Sequence, residues 1–253
     1  MLTANQAKFV AALQVKKYRQ KYRKFVVEGE KMVGELLAQR RLRTDSVFCL
    51  ERWAVENAAR AAPFSEKINL VSEAELRKIS ALTTPNKVLA VVEMPGETPD
   101  FQALAGGFSF YLDGLQDPGN LGSILRVADW FGFRAVFCSP DSVDAFSPKV
   151  VQAGMGASLR VPVWEMPLPE ILANLPAQTP ILGAVMDGEN LFRAALPPGG
   201  VLVIGNEGRG ISPETERLLT HRLTIPRAPG GGAESLNAAI AAGILAAQVG
   251  RAF

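Results

Sequence analysis

The chain is poor in the residues that build metal centres, disulfide frameworks and histidine-based active sites. Its 253 residues include two cysteines, Cys49 and Cys138, and a single histidine, His221. Each cysteine lies in a short apolar segment, and such isolated cysteines predict neither a disulfide framework nor a cluster of metal ligands. His221 lies beside Arg222 just before a strand-like run, which is typical of a surface residue. We therefore expect no metal and no catalytic triad built on histidine.

Long apolar runs and a strong net charge are also missing. No apolar stretch approaches the roughly 20 residues that span a bilayer, and Met1 opens no signal-peptide pattern. The net charge is only +2, so a nucleic acid would have to be bound by a local basic patch. With 48% apolar and 21% charged residues, the composition is that of a globular protein. The sequence thus predicts a cytoplasmic protein that does not enter a membrane.

One basic patch lies near the start of the chain. Two tyrosines one helical turn apart, Tyr18 and Tyr22, are interleaved with six cations: Lys16, Lys17, Arg19, Lys21, Arg23 and Lys24. A second cluster consists of Arg40, Arg41 and Arg43. The first pattern fits either a solvated stretch or an RNA-binding surface, on which cations hold phosphates and aromatic rings stack on unpaired bases.

Strand-like and helix-like segments alternate in the first part of the chain. FVVEG, SVFCL, KINLV and VLAVVE predict strands, whereas residues 31–40, 54–61 and 73–79 predict helices. Ser72 and Glu75 form a capping box at the start of the last helix. The polar segment EMPGETPD (93–100) predicts a linker. We expect a domain over residues 1–95, a linker over 96–106 and a second domain over 107–253.

The second part repeats the alternation more regularly. Six short apolar runs are separated mostly by helical patterns: FSFYLD, AVFCS, VPVW, PILGAV, VLVIG and RLTIP. This order predicts a parallel α/β sheet, whose ligands bind beyond the carboxyl ends of the strands. Pro148 after Ser147 predicts a helix start. A final helix is expected from Ser235 to Phe253, and because it carries almost no charge it must be covered by the core or by another chain.

Three segments at predicted strand ends combine glycines with polar residues: LDGLQDPGNLGSILRVADWFGF (112–133), VLVIGNEGRGIS (201–212) and IPRAPGGGAESLNAAIAAG (225–243). They lack the lysine of a P-loop and the early G-x-G-x-x-G of a dinucleotide site. Each segment alone also fits glycine turns with helix caps at Asn120 or Ser235 and solvated side chains at Glu207 and Arg209. The three together predict one ligand site.

In this order the three motifs resemble those of the SpoU (TrmH-like) 2′-O-ribose RNA methyltransferases of the SPOUT superfamily. FVVEGEKMVGELL (25–37) resembles the start of the L30e-like substrate-binding domain found in many members. The resemblance implies a parallel-sheet α/β SPOUT domain with a deep trefoil knot, preceded by a smaller L30e-like α/β domain. It also implies S-adenosylmethionine as cofactor, no metal, a homodimer formed through the SPOUT domain, and ribosomal or transfer RNA as substrate.

The resemblance also assigns residues to a cofactor pocket. The main chain would hold S-adenosylmethionine at Gly205, Ile225 and Leu236, and Gly183 with Ala184 would close another side. Two other classes of protein are weighed against this assignment. A catalytically silent RNA-binding protein with a SPOUT fold would not need the intact polar residues of the motifs. A nucleotide-dependent dehydrogenase would need the dinucleotide fingerprint that is absent.

Further roles follow from the same resemblance. Arg126 would orient the ribose hydroxyl and stabilise the negative charge that develops on it, because a guanidinium with its very high pKa is a poor free base. Glu207 would order the loops of the active site. Hydrogen bonds to the ribose and the loops would come from Asn120, Ser235 and Asn237. RNA would be bound by five cations: Lys16, Lys17, Arg19, Arg23 and Arg209.

Overall fold

The computed structural model of the protein describes residues 2–39, 41–96 and 98–250. It divides into two compact units. The first unit comprises residues 1–97 and 146–159, and the second comprises residues 98–145 and 160–253. The chain therefore enters the first unit twice.

The first unit is built on a four-stranded mixed sheet. Up to residue 93 the described elements are α1 (Ala4–Ala12), α2 (Lys16–Tyr22), β1 (Lys24–Glu28), α3 (Glu30–Ala38), β2 (Thr44–Cys49), α4 (Glu51–Glu56), α5 (Ala58–Ala61), a 3-10 helix (Ala62–Lys67), β3 (Ile68–Leu70), α6 (Glu73–Ile79) and β4 (Val88–Glu93). The strand order is β1-β4-β2-β3, with β4 antiparallel to both neighbours and β2 parallel to β3. All four predicted strands are present. The helix expected over 54–61 is interrupted at Asn57, and Arg40 lies outside the described residues.

Both faces of this sheet are covered, which explains why its strands are continuous apolar runs. Successive residues of a strand point to opposite faces. Phe25 and Val27 of β1 accordingly join one apolar cluster, which α3 and α4 also line, and Val26 joins a second cluster with α1 and α6. Ala90 and Val91 of β4 divide between the clusters in the same way.

The segment from Phe146 to Leu159 completes the core of the first unit. Val151 and Leu159 are buried in the same apolar cluster as Phe25, and the ring of Phe146 lies 4.8 Å from that of Phe25. The Arg41 guanidinium donates a hydrogen bond of 3.1 Å to the carbonyl of Leu159. These residues therefore stabilise a unit from which they are distant in sequence.

Beyond residue 100 the described elements are α7 (Phe101–Leu104), β5 (Phe108–Leu112), α8 (Pro118–Trp130), β6 (Val136–Cys138), α9 (Pro148–Gly154), α10 (Ala157–Arg160), β7 (Val163–Glu165), α11 (Leu168–Asn174), β8 (Ile181–Asn190), β9 (Gly200–Ile204), α12 (Pro213–Glu216), β10 (His221–Thr224) and α13 (Ala238–Val249). The six strands form one sheet in the order β10-β8-β9-β5-β6-β7, and every pair is parallel. This confirms the predicted parallel sheet. Because β5 and β9 are neighbours, the loops that follow them meet at the carboxyl edge of the sheet.

The predicted helix boundaries are partly confirmed. Ser72 and Glu75 form the expected capping box at α6, and Ser147 caps α9 with Pro148 at its first position. The final helix is shorter than predicted, because α13 spans Ala238–Val249 and residues 251–253 lie outside the described part of the chain.

Candidate active site

The loop that follows β9 is folded tightly onto itself and onto the loop that follows β5. Asn206 and Gly210 exchange two main-chain hydrogen bonds of 2.9 and 3.0 Å. Gly205 leaves no room for a side chain, because a Cβ there would lie 2.3 Å from the main chain of Gly210. The side-chain amide of Asn206 donates to the carbonyl of Gly114 at 2.7 Å. The two loops therefore hold each other in one arrangement.

Glu207 is the central acceptor of this region. Its carboxylate accepts hydrogen bonds from the main-chain amides of Gln116 at 3.2 Å and Asp117 at 3.1 Å, and from the side chain of Asn120 at 3.0 Å. Partial burial acts to raise the pKa of Glu207, but the hydrogen bonds from Asn120 and from main-chain amides outweigh it and lower the pKa. Glu207 is therefore a bound anion at neutral pH.

Asn120 connects Glu207 to the C-terminal helix. While its amide nitrogen donates to Glu207, its amide oxygen accepts a hydrogen bond of 2.8 Å from the side chain of Asn237. The Asn237 oxygen in turn accepts from the amides of Ala239 at 2.9 Å and Ile240 at 3.2 Å. The chain Glu207–Asn120–Asn237 thus joins the three motifs at one place.

The sequence also allowed Asn120 and Ser235 to cap helices, and both of these assignments are wrong. Asp117 caps α8 by accepting from the amide of Asn120 at 2.7 Å, so the Asn120 side chain is free to bridge Glu207 and Asn237. Asn237 caps α13 because its short side chain reaches the first free amides of that helix. Ser235 is exposed, and its hydroxyl bonds to no other residue that the structure describes.

Arg126 lies on α8, two turns beyond Asn120, and is exposed. The alternative to a catalytic role is a surface ion pair with Asp129. That carboxylate instead binds the Nε of Arg160 at 2.9 and 3.0 Å. Within the described residues Arg126 has no hydrogen bond or ion pair, so its guanidinium is available to a ligand.

Three of the residues predicted to hold the cofactor have main-chain amides without a partner. Gly205 follows β9, Ile225 follows β10, and Leu236 precedes the cap of α13. None of these amides donates to another described residue. Leu236 is also 47% exposed, which is unusual for a leucine beside a core helix. These groups are free to bind a ligand, and their assignment to the cofactor remains a prediction.

Gly183 and Ala184 lie where β8 leaves the ladder. The pairing with β10 moves from Gly183↔Arg222 to Glu189↔Leu223, so residues 184–188 form an excursion from the strand. A Cβ at Gly183 would lie 2.3 Å from the Leu219 side chain, so a larger residue there would require Leu219 to move. This packing is independent of any role toward a cofactor, and the predicted role stays a prediction.

Sequence reasoning missed several residues that position this site. The buried carboxylate of Asp113 accepts from the amide of Ser212 at 2.7 Å and so ties the far end of the β9 loop to β5. Asn206 and Asp117 contribute the links already described. Asp113 and Asn206 lie within two residues of a strand end, and Asp117 directly precedes the proline that begins α8, and these positions are the signal that could have found them.

The cations predicted to bind RNA differ in exposure. Most are at the surface or half-buried: Lys17, Arg23, Arg209 and Lys16. Arg19 is wrong as an RNA-binding residue, because it is 3% exposed and its guanidinium donates to the carbonyl of Leu13 at 2.7 Å. It stabilises the turn between α1 and α2.

Other features of the second unit do not form the site. A cavity of about 310 Å³ lies at the amino ends of its strands, the edge opposite Glu207, and no charged side chain lines it. Its lining residues are Leu104, Ala105, Gly106, Gly107, Ser109, Phe137, Leu175, Pro176, Thr179, Pro180, Pro198, Gly199, Gly200 and Val201.

Across residues 2–39, 41–96 and 98–250 no group of three His, Cys, Asp or Glu side chains is placed to hold a metal. No described helix is long and apolar enough to span a bilayer.

Comparison with known proteins decides the family. Residues 107–247 match the family model described as the SpoU rRNA Methylase family, and residues 4–90 match the MRM3-like substrate binding domain. The chain belongs to the SpoU rRNA methylase family. Its SpoU domain contains all three motifs that the hydrogen bonds of Glu207, Asn120 and Asn237 join, so the predicted family is confirmed.

Similar SpoU proteins span nearly the whole chain. The 23S rRNA (guanosine(2553)-2′-O)-methyltransferase RlmP of Bacillus subtilis is 30% identical over 92% of this chain and 91% of its own. A solved TrmH-family structure from Porphyromonas gingivalis is 42% identical, with a TM-score of 0.88 and 98% of each chain covered. An AdoMet-bound rRNA methyltransferase from Sinorhizobium meliloti is 27% identical, with a TM-score of 0.86 over 100% of this chain and 96% of the other.

Proposed function

We propose that this chain transfers the methyl group of S-adenosylmethionine to a ribose 2′-hydroxyl of ribosomal RNA. The observation that carries the proposal is the hydrogen-bonded chain Glu207–Asn120–Asn237, which brings the three SpoU motifs together. The relative from Bacillus subtilis is named for this reaction on 23S rRNA, and the structure from Sinorhizobium meliloti holds AdoMet. The predicted reaction and cofactor are confirmed at the level of the family.

The main chain of the site fits a nucleoside cofactor. Unpaired amides at Gly205, Ile225 and Leu236 can donate to the edge of an adenine ring, and neighbouring carbonyls can accept from its amino group. Gly183 and Ala184, where β8 leaves its ladder, close another side of the pocket. When bound, S-adenosylmethionine supplies an electrophilic methyl carbon attached to a good leaving group.

The protein positions the 2′-hydroxyl, and the proton that leaves as its oxygen attacks the methyl carbon passes to an RNA phosphate or to water. The free guanidinium of Arg126 orients the 2′-hydroxyl and stabilises the negative charge that develops on its oxygen, and it stays protonated throughout. Glu207 does not take the proton, because its lowered pKa and three hydrogen bonds keep it an anion that holds Asn120. The unpaired hydroxyl of Ser235 contacts the ribose, and so does Asn237 two residues further on, through the N–H of its side-chain amide that Asn120 does not accept.

The RNA is held by cations of both units. Lys16, Lys17 and Arg23 lie on or beside α2, and Arg209 is exposed on the β9 loop. Each neutralised phosphate releases counterions, so binding by these residues weakens as salt rises.

The second unit forms a homodimer through α13 and α8. Residues 238–249 carry no charge, and one side of α13 is buried in its own unit, including Ala242, Leu245 and Ala246. On the rest of the surface Ile240 is 56% exposed and Trp130 of α8 is 84% exposed. A symmetric pair of such faces is the commonest way to cover them.

Two further expectations belong to this proposal. The C-terminal chain threads through a loop to form a trefoil knot, and the bond of Asn237 to Asn120, which places that chain beside the start of α8, supports this. The protein works in the cytoplasm, where ribosomal RNA is available, and its two buried cysteines, Cys49 and Cys138, form no disulfide, as suits a reducing compartment.

Mapping ribose methylation in total RNA tests the proposed function. We expect one 2′-O-methyl group of ribosomal RNA to disappear when the gene is deleted and to return when the wild-type gene is restored. Loss of a methyl group from transfer RNA instead would contradict the substrate class, and an unchanged map would contradict the activity.

The role of Arg126 is tested in the same assay with purified protein. Arg126→Ala should lower tritiated-methyl incorporation by about 10²-fold, the scale for losing a donor that stabilises developing negative charge on an oxygen. Arg126→Lys should not restore it, because an ammonium lacks the planar fork of a guanidinium. Arg160→Ala, which removes an exposed arginine paired with Asp129, is the matched control and should change turnover little. Near wild-type turnover of folded, cofactor-bound Arg126→Ala would refute the role.

A further inference from the structure

A row of three aromatic rings, Phe9, Tyr22 and Tyr18, lies on α1 and α2 in the first unit. Phe9 and Tyr22 meet edge to face with ring centres 5.1 Å apart, and Tyr22 stacks on Tyr18 at 6.3 Å with 14° between their planes. Tyr18 is 37% exposed and Tyr22 is 39% exposed. Neither tyrosine hydroxyl bonds to another residue in the described part of the chain. The end of this aromatic row is therefore open to a ligand.

Cations accompany the aromatic row, and one of them, Lys24, is also paired with the carboxylate of Asp45. The Nζ of Lys21 lies 5.3 Å from the centre of the Tyr22 ring, and the Nζ of Lys24 lies 5.7 Å from that of Phe9. The first 27 residues of the chain contain seven lysines and arginines and no aspartate or glutamate. Such a surface attracts the phosphates of a nucleic acid and repels basic partners.

We propose that the aromatic row is a stacking platform for unpaired bases, so the enzyme recognises its RNA through a segment with unpaired nucleotides. This inference rests on the proposed function, since it names the form of the same RNA substrate. Bases inside a duplex already stack on each other, whereas unpaired bases can stack on tyrosine while neighbouring cations hold their phosphates. The open face of Tyr18, at the end of the row, receives the first base.

Binding of two short RNA probes to the full-length protein tests the platform. One probe is a single-stranded adenosine oligomer of about twelve nucleotides that contains 2-aminopurine, and the other is its duplex with the complementary strand. The wild type should bind the single strand more tightly and quench its fluorescence. Tyr18→Ala should weaken that binding about tenfold and abolish the quenching, because a ring that stacks on a base is lost. Duplex binding should change much less.

Two further variants keep the test independent of folding. Tyr18→Phe retains the ring and should bind as the wild type does, whereas Tyr18→Leu retains apolar area without a ring and should behave as Tyr18→Ala. Val55→Ala, at a site 72% exposed on α4, is the control for removing an exposed apolar side chain and should have no effect. Circular dichroism should be the same for all four variants.

Failure of this inference differs from failure of the proposed function. Wild-type binding by Tyr18→Ala or by Tyr18→Leu would overturn the stacking platform even if the wild type methylates ribosomal RNA. Absence of methyl transfer by the wild type would overturn the proposed function even if Tyr18 proves necessary for binding the single strand. If Tyr18→Ala bound RNA normally but lost a protein partner in ribosomal particles, the aromatic row would be a protein-docking surface and the inference would be wrong.

Discussion

At the scale of single residues, the carboxylate of Glu207 decides the arrangement of the site. The amides of Gln116 and Asp117 precede α8, and Glu207 accepts from both while it also holds the side chain of Asn120. Hydrogen bonds to a charged acceptor are stronger than those between neutral groups. One side chain from the β9 loop thereby determines where α8 begins and which way Asn120 points.

Glu207→Gln should therefore destabilise the protein in a pH-dependent way. The pKa of Glu207 is lowered from its usual value of 4.5 by the folded state, so the ionised group stabilises the fold above that value and the contribution is lost as the pH falls through the lowered pKa. We expect Glu207→Gln to lower the free energy of unfolding by about 1 kcal/mol at neutral pH. The difference from the wild type should shrink below pH 4.5, as measured by urea unfolding at several pH values.

The control for this measurement is another carboxylate of the second unit. Glu189 is exposed on β8, and its side chain bonds to no described residue, so Glu189→Gln should leave the unfolding curve unchanged at every pH. A constant difference between Glu207→Gln and the wild type down to acid pH would show that the charge of Glu207 contributes nothing.

At the scale of elements, Asn237 combines the cap of α13 with a bond to α8, and one substitution separates the two. Asn237→Asp keeps an oxygen that accepts from the first amides of α13, but it replaces the amide donor to Asn120 with a second oxygen. The Asn120 side chain cannot turn over to compensate, because its nitrogen is held by Glu207. Because the cap of α13 is kept, we expect only a small loss of thermal stability, whereas methyl transfer should fall about tenfold or more because the bond that joins α13 to α8 at the site is lost.

Ser147→Ala provides the comparison for Asn237→Asp. It removes the cap of α9, which belongs to the first unit and contains none of the motifs, and should cost about 1 kcal/mol of stability with methyl transfer intact. If Asn237→Asp instead lost stability and kept turnover, the bond to Asn120 would have no part in the reaction.

The elements themselves were largely predictable from the sequence, and their contacts were not. The strands of both sheets are buried on both faces, so each appears in the sequence as a continuous apolar run. Such a run can be identified as a strand without knowing which strand it pairs with. The choice between Ser235 and Asn237 as a cap depends on where the chain turns, and both residue types fit. The burial of Arg19 depends on the carbonyl of Leu13, which the turn between α1 and α2 brings within reach. A basic run in the sequence carries no sign of such a contact.

At the scale of the whole molecule, the exposed apolar face of α13 predicts the oligomeric state. Ile240→Glu should convert a dimer into a monomer, because a charge would be buried without a partner in the interface. Light scattering at micromolar concentration measures the mass. Val55→Glu, which places the same charge on an exposed site of the first unit, should leave the mass unchanged. A wild-type protein with the mass of a monomer would contradict the dimer.

The motifs predicted where the site lies. Its detailed geometry was not predictable, because it depends on contacts between residues that are distant in sequence. Glu207, Asn120 and Asn237 were named from the sequence, and the structure joins them by hydrogen bonds. Asp113 and its bond to Ser212 were not named, since an aspartate at a strand end is common and its partner lies far along the chain.

The double entry of the chain into the first unit bears on how the protein is made. Domains generally fold in order from the amino end as the ribosome releases them. Val151 and Leu159 belong to the apolar cluster around Phe25, yet they are synthesised after β5 and β6 of the other unit. The part of the first unit that is made first, residues 1–97, must therefore wait with some of its apolar surface uncovered. A gene fragment that ends at the predicted linker, residues 96–106, would encode a domain that lacks part of its own core.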